Sequence, residues 1–183
     1  MLVKLNGVVA TEPKKLTNCK GVVLYECFIK NKRKSGICDD IRVTYTDLDI
    51  HKGELVYLEG DLRANKLDGR TTLYIHTSKI DIVDDVSDSI NEVSGSGVIC
   101  RDINIRDAGN NTIADVTLKC TRNKDKYSYV YCSVWNKMTR YINQYKVGDT
   151  LSIIGRLQSH YRGDVLVTEV SIYRYGKEEE TDC

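Results

Sequence analysis

Apolar and polar residues alternate along this chain in ten short runs, and a period of two predicts strands over nearly its whole length. The runs fall near 2–11, 22–31, 40–46, 54–65 and 71–83, and again near 93–101, 112–122, 127–135, 150–160 and 164–174. Five runs recur in each of two units, and five strands suit a small closed barrel. One stretch breaks the alternation. Residues 136–145 place Met138, Tyr141, Ile142 and Tyr145 at helical spacing on one face, which predicts a short helix plugging one end of the second unit. In the first unit the same interval, Thr46 to Lys52, is too short for such a helix.

The two units repeat one pattern. Val3-Lys-Leu-Asn-Gly7-Val-Val opens the first as Val93-Ser-Gly-Ser-Gly97-Val-Ile opens the second, and Gly53 and Gly60 share their spacing with Gly148 and Gly155. Gly60 and Gly155 lie inside long strands, where a glycine marks a bend that lets one strand serve both sides of a barrel. The expected division is a first barrel at 1–83, an acidic linker at 84–92, a second barrel at 93–175 and a short acidic tail at 176–183.

Charge follows the same division. The net charge of +1 conceals basic bodies, with 14 basic and 11 acidic groups in 1–82 and 13 and 7 in 93–177, joined and ended by acidic segments. Basic bodies favour a polyanion through counterion release, although an excess this small is also within what a solvated surface carries. The 7 cysteines include no C-x-x-C pair and the 3 histidines are scattered, so the sequence offers no zinc site, disulfide framework or cofactor. Neither paired carboxylates nor a phosphate-cradling glycine loop is present in a recognisable motif, which argues against an enzyme. No apolar stretch approaches the ~20 residues of a membrane span, and the N-terminus runs directly into a strand, so a cytoplasmic protein is expected.

The chain holds 12 tyrosines against one Phe and one Trp. In the third run of the second unit Tyr127, Tyr129 and Tyr131 share a face with Ser133 and Trp135, while Val130, Cys132 and Val134 form the other. The apolar face is the core candidate. The aromatic face is then free to stack on bases, although it could equally pack against another subunit, or Trp135 could cap the core. Lys119, Arg122, Lys124 and Lys126 surround it, the last three in a turn that could wrap a phosphate backbone, and Arg101 and Arg156 add to the basic set. The first unit places Lys30, Lys32, Arg33 and Lys34 at the same turn, but its aromatics are thinner and nothing matches Trp135.

Three segments of the second unit resemble the bacterial and phage single-stranded DNA-binding protein family. They are Ser96-Gly97-Val-Ile-Cys-Arg101-Asp, Tyr129-Val-Tyr-Cys-Ser-Val-Trp135-Asn-Lys-Met, and Tyr145-Lys-Val-Gly148-Asp-Thr-Leu-Ser-Ile-Ile-Gly155-Arg-Leu-Gln-Ser159 followed by Val167-Thr-Glu-Val170. The resemblance implies an all-β chain of two tandem five-stranded oligonucleotide-binding (OB) barrels with one short helix in the second. It further implies sequence-independent binding of single-stranded DNA in replication, recombination or repair, with Tyr129 and Trp135 stacking on bases. Single-barrel members assemble as tetramers, so a homodimer of this chain would reach four OB folds. Members recruit replication or recombination proteins through a long tail with an aromatic tip, which Tyr175 to Cys183 lacks. The alternative is an OB module of a replication or mobile-element complex whose contact is another protein. A preference for DNA over RNA rests on the resemblance alone.

Overall fold

Alternation becomes pairing in the computed structural model, which describes residues 1–17, 21–46, 49–85, 88–123 and 126–177. The strands of the first half are β1 (Leu2–Val9), β2 (Lys14–Thr17), β3 (Val23–Lys32), β4 (Cys38–Tyr45), β5 (Leu55–Leu67) and β6 (Arg70–Ile82). Those of the second half are β7 (Asn91–Ile99), β8 (Asn104–Ala108), β9 (Asn111–Asn123), β10 (Lys126–Trp135), β11 (Thr150–Arg162) and β12 (Val165–Lys177). Each half closes on itself, β1 onto β3 through Val8 and Lys30, and β7 onto β9 through Val98 and Lys119. The result is two OB barrels in tandem. Beyond the five strands the alternation predicts, each barrel carries one short edge strand, β2 or β8, hairpinned onto its neighbour.

The inward positions of the strands are the apolar ones. Val3, Leu5, Ile29, Ile41, Val43, Leu73 and Ile75 are completely buried in the first barrel, as are Leu118, Val130, Val134, Leu151, Leu157 and Val170 in the second. Each such side chain contributes about 1.5–3 kcal/mol by leaving water. Gly60 and Gly155 sit at matched irregularities of the β5–β6 and β11–β12 pairings. A Cβ at Gly60 would lie 2.7 Å from the His76 carbonyl oxygen, and one at Gly155 would lie 2.7 Å from that of Ser171. No side chain fits where the backbones approach so closely, and this explains the repeated spacing.

The barrels differ at one end. After Trp135 the chain turns at Asn136, whose φ of 53° is one that asparagine tolerates, into a 3-10 turn (Asn136–Met138) and a single helical turn, α1 (Thr139–Ile142). Ile142 and Tyr145 are buried, and Tyr145 meets Tyr175 edge-on at 5.9 Å. The Tyr175 hydroxyl donates to the Met138 carbonyl at 2.5 Å. The uniform helical face predicted for this segment is corrected at Tyr141, which is 67% exposed: a tighter 3-10 entry shifts the angular phase of the helical turn after it. Among the described residues the first barrel has no such helix, and the fully buried Tyr45, with Ile50, packs into its core instead.

β1 and β7 pair antiparallel, merging the barrels into one twelve-stranded sheet. The register matches Val3 with Val93, Leu2 with Ser94 and Lys4 with Glu92. Because Gly7 and Gly97 correspond, Val3 pairs with its own counterpart and the flanking residues pair reciprocally. The halves are therefore related by a pseudo-twofold axis at that pair, and β4 packs on β11, β5 on β10, and β6 on β12 accordingly. Asn91 and Glu92, placed by the sequence in the connector, belong to β7 because they pair with Leu5 and Lys4.

Polar contacts fix the orientation of the barrels. The Asn31 amide donates to the carbonyl oxygens of Asn6 and Ile90 at 2.9 and 3.1 Å, and Asn91 donates to Asn31 at 3.2 Å and to the Leu157 carbonyl at 2.9 Å. Asp39, whose side chain is completely buried, accepts from Arg33 and from the Ser159 amide at 2.8 Å. Thr72 donates to the Leu166 carbonyl and accepts from the Thr168 amide.

Candidate nucleic-acid interface

β10 carries the aromatic face. Val130, Cys132 and Val134 point into the second barrel, and Tyr127 and Tyr129 are 47% and 49% exposed on the opposite face. Tyr131 and Trp135 are half-buried along the same line. Lys119, across from Tyr129 on β9, holds its ammonium 3.9 Å from the Tyr127 ring centroid, a cation–π contact of roughly 0.5–1 kcal/mol at an exposed site. Ser133 is buried and is no rung of the ladder. It accepts from the Trp135 indole N–H at 3.0 Å and donates to Glu169 at 3.3 Å, which steadies the indole from beneath.

Beside Tyr131 a groove of about 700 Å³ opens between the barrels. Arg101, Arg106 and Arg162 of the second barrel line it, and so does Arg70 from the β5–β6 hairpin of the first. Arg106 is held by Asp115 at 2.8 Å, and Arg162 lies 3.9 Å from Glu169. Arg70 and Arg101 take no acidic partner among the described residues. Strands 2 and 3 of an OB barrel with the loops flanking them form the usual surface for extended ligands, and this groove occupies that surface. Of its four arginines the sequence nominates only Arg101. Arg70 belongs to the other repeat, and Arg106 and Arg162 lie outside the motifs.

The remaining candidates disperse. Arg122 and Lys126 are exposed at the β9–β10 turn, and Lys124 lies outside the described residues. Lys30, Lys32 and Lys34 are exposed on the first barrel, but Arg33 is bound to Asp39 at 2.5 and 2.6 Å. That hydrogen bond raises the Arg33 pKa. Arg156 faces the same pair, and burial, then Arg33, lower its own.

The parallel pairings equate the barrels residue by residue, since Val43 lies beside Ile75 as Cys132 lies beside Val170. In this register Cys38, Asp40, Arg42 and Thr44 stand where the second barrel has Tyr127, Tyr129, Tyr131 and Ser133. The first barrel has no aromatic ladder. Arg42 there forms an ion pair with Glu26 and lies 5.3 Å from the Tyr74 ring centroid.

Among the described residues no group of His, Cys, Asp and Glu could hold a metal ion, and no helix is long and apolar enough to cross a membrane. No curated protein matches the sequence. In shape the whole chain matches two crystal structures of the single-stranded DNA binding protein from Thermus aquaticus. A deletion mutant of that protein gives a TM-score of 0.79 at 20% identity, covering 100% of this chain and 96% of the other. The wild type gives 0.78 at 18% identity, with coverage of 100% and 94%. At such identities the likeness speaks for the fold. Residues 90–172, from the start of β7 nearly to the end of β12, match the single-strand binding protein family. The chain is thus a tandem OB-fold protein whose second barrel matches the single-strand binding protein family.

Proposed function

We propose that this protein binds single-stranded DNA without sequence preference and performs no chemistry on it, serving replication, recombination or repair. The observation that carries the reading is the exposed pair Tyr127 and Tyr129, flanked by Lys119 and continuous with the arginine-lined groove at Tyr131. Every base has a π-face, so aromatic rungs hold any sequence, while the arginines and lysines hold the backbone. Tyr129 and Trp135 stack on bases, and Lys119, Arg122, Lys126, Arg101 and Arg70 contact phosphates. The domain at 93–175 supplies the bases' site, and the domain at 1–83 braces it. Fluorescence anisotropy of labelled oligo(dT) at two salt concentrations tests this: tight binding that weakens steeply with salt is expected. An absence of binding at low salt would favour the face as a protein contact.

The sheet spanning β6, β5, β1, β7, β11 and β12 exposes Leu2, Val8 and Val98. This supports assembly of two chains into four OB folds. Light scattering should give twice the chain mass of 20.8 kDa, and a monomer mass at micromolar concentration would exclude it.

A further inference from the structure

A second concentration of positive charge lies where the first barrel meets the β9–β10 turn. Arg63 on β5 stands opposite Tyr74 on β6, and Asp61 opposite His76, which sets Arg63 and His76 diagonally on one face. β5 packs against β10, and Arg122, at the end of β9, acts on both residues from the second barrel. The Arg63 Nε is buried and takes no hydrogen-bond partner, which costs about 1–3 kcal/mol when nothing satisfies it. Burial, then Arg122, disfavour the charge on Arg63, and Asp61 and Tyr74 favour it. The His76 ring, 3.0 Å from the Thr44 hydroxyl, is held below its ordinary pKa by burial, then by Arg63 and Arg122, with Asp61 alone opposing. Three basic side chains from two barrels thus meet one carboxylate. Such an excess of donors and charge suits an anion.

Resting on the proposed binding of single-stranded DNA, we propose that Arg63, Arg122 and His76 form a phosphate site that carries a DNA strand from the aromatic face of the second barrel onto the first. The first barrel then holds the strand by its backbone and not by its bases, in keeping with the lack of aromatic rungs at the positions equivalent to Tyr129 and Tyr131. Arg63 and His76 belong to the first barrel, so a strand confined to the second engages the stacking face without completing the site.

Anisotropy titrations with oligo(dT) of about 8 and about 30 nucleotides, bracketing the span of one OB fold, distinguish the two. For the long strand, Arg63→Gln and Arg122→Gln should each lose roughly tenfold in affinity and flatten the slope of log K against log salt by about 0.7. The short strand should bind wild type and Arg63→Gln alike, whereas Arg122→Gln, at the edge of the stacking face, should weaken the long strand more than the short one. Arg122 is exposed, so its variant reports even if Arg63→Gln fails to fold. Long-strand affinity and slope equal to wild type in Arg122→Gln and in folded Arg63→Gln would overturn the site and leave the stacking face standing. Failure of wild type to bind the short strand would sink both. Inorganic phosphate that binds the cluster without displacing the long strand at constant ionic strength would assign it to a free anion and overturn the strand path.

Discussion

Replacing Tyr129 and Trp135 together by alanine is expected to weaken oligo(dT) binding by roughly two orders of magnitude while leaving the melting temperature nearly unchanged. Stacking contributes about 1–3 kcal/mol per base, and two lost stacks at the low to middle of that range correspond to roughly 100-fold. Tyr129 is half exposed, and Trp135 lies outside the buried core with its indole N–H hydrogen-bonded to Ser133, so neither substitution opens a cavity in the core. Trp135 is the only tryptophan, and its emission should be quenched as the wild-type protein is titrated with oligo(dT). Retained affinity in the double variant, together with unquenched emission in wild type, would remove the stacking role. The β10 face would then be a surface for another protein. Tyr127→Ala is the milder comparison, because part of its ring is already engaged by Lys119.

The second large effect is on stability. Arg33→Ala should destabilise the protein by about 3 kcal/mol, because it strands the carboxylate of Asp39 in the seam between the barrels. For a chain of this size such a loss lowers the melting temperature by roughly 6–12 °C. Asp39 is completely buried, its remaining donor, the Ser159 amide, cannot neutralise it, and Arg156, which faces the pair, forms no ion pair with it among the described residues. Adding Asp39→Asn to Arg33→Ala should recover part of the loss, since a neutral amide oxygen still accepts from Ser159 without burying a charge. Lys34→Ala, next along the turn and exposed, should change stability by less than about 0.5 kcal/mol. Thermal unfolding of these three variants suffices. An Arg33→Ala protein that melts with Lys34→Ala would mean that the ion pair is solvated in solution and that the seam rests on Asn31, Asn91 and Thr72.

These two residues show where sequence reasoning reached its limit. Tyr129 is legible because strand alternation is local: once Val130, Cys132 and Val134 are assigned inward, its side must be outward. Arg33 reads as one member of a basic turn, equivalent to Lys32 or Lys34, and nothing nearby marks it as the one that turns inward to Asp39. Ser133 likewise shares the aromatic face by parity, and only the packing of Glu169, Gln158 and Trp135 around it makes it buried. Tyr141 obeys the same rule, because its exposure depends on a 3-10 entry that no spacing of side chains encodes.

The sequence by itself determined the local and repeated features. Alternation gave ten strands, the repeated glycines marked the bends where two backbones touch, and the aromatic strip on β10 and the basic turns lay within single segments. Tertiary structure alone decided how the halves meet. The Val3–Val93 pairing places the two barrels about a pseudo-twofold axis, and that placement brings Arg70 to the groove beside Tyr131 and Arg122 to Arg63 and His76. Residues far apart in the chain carry no mutual signal in one sequence. Their convergence is set by the register of a single strand pair, and a register is fixed by burial on both sides of the sheet and not by any one residue.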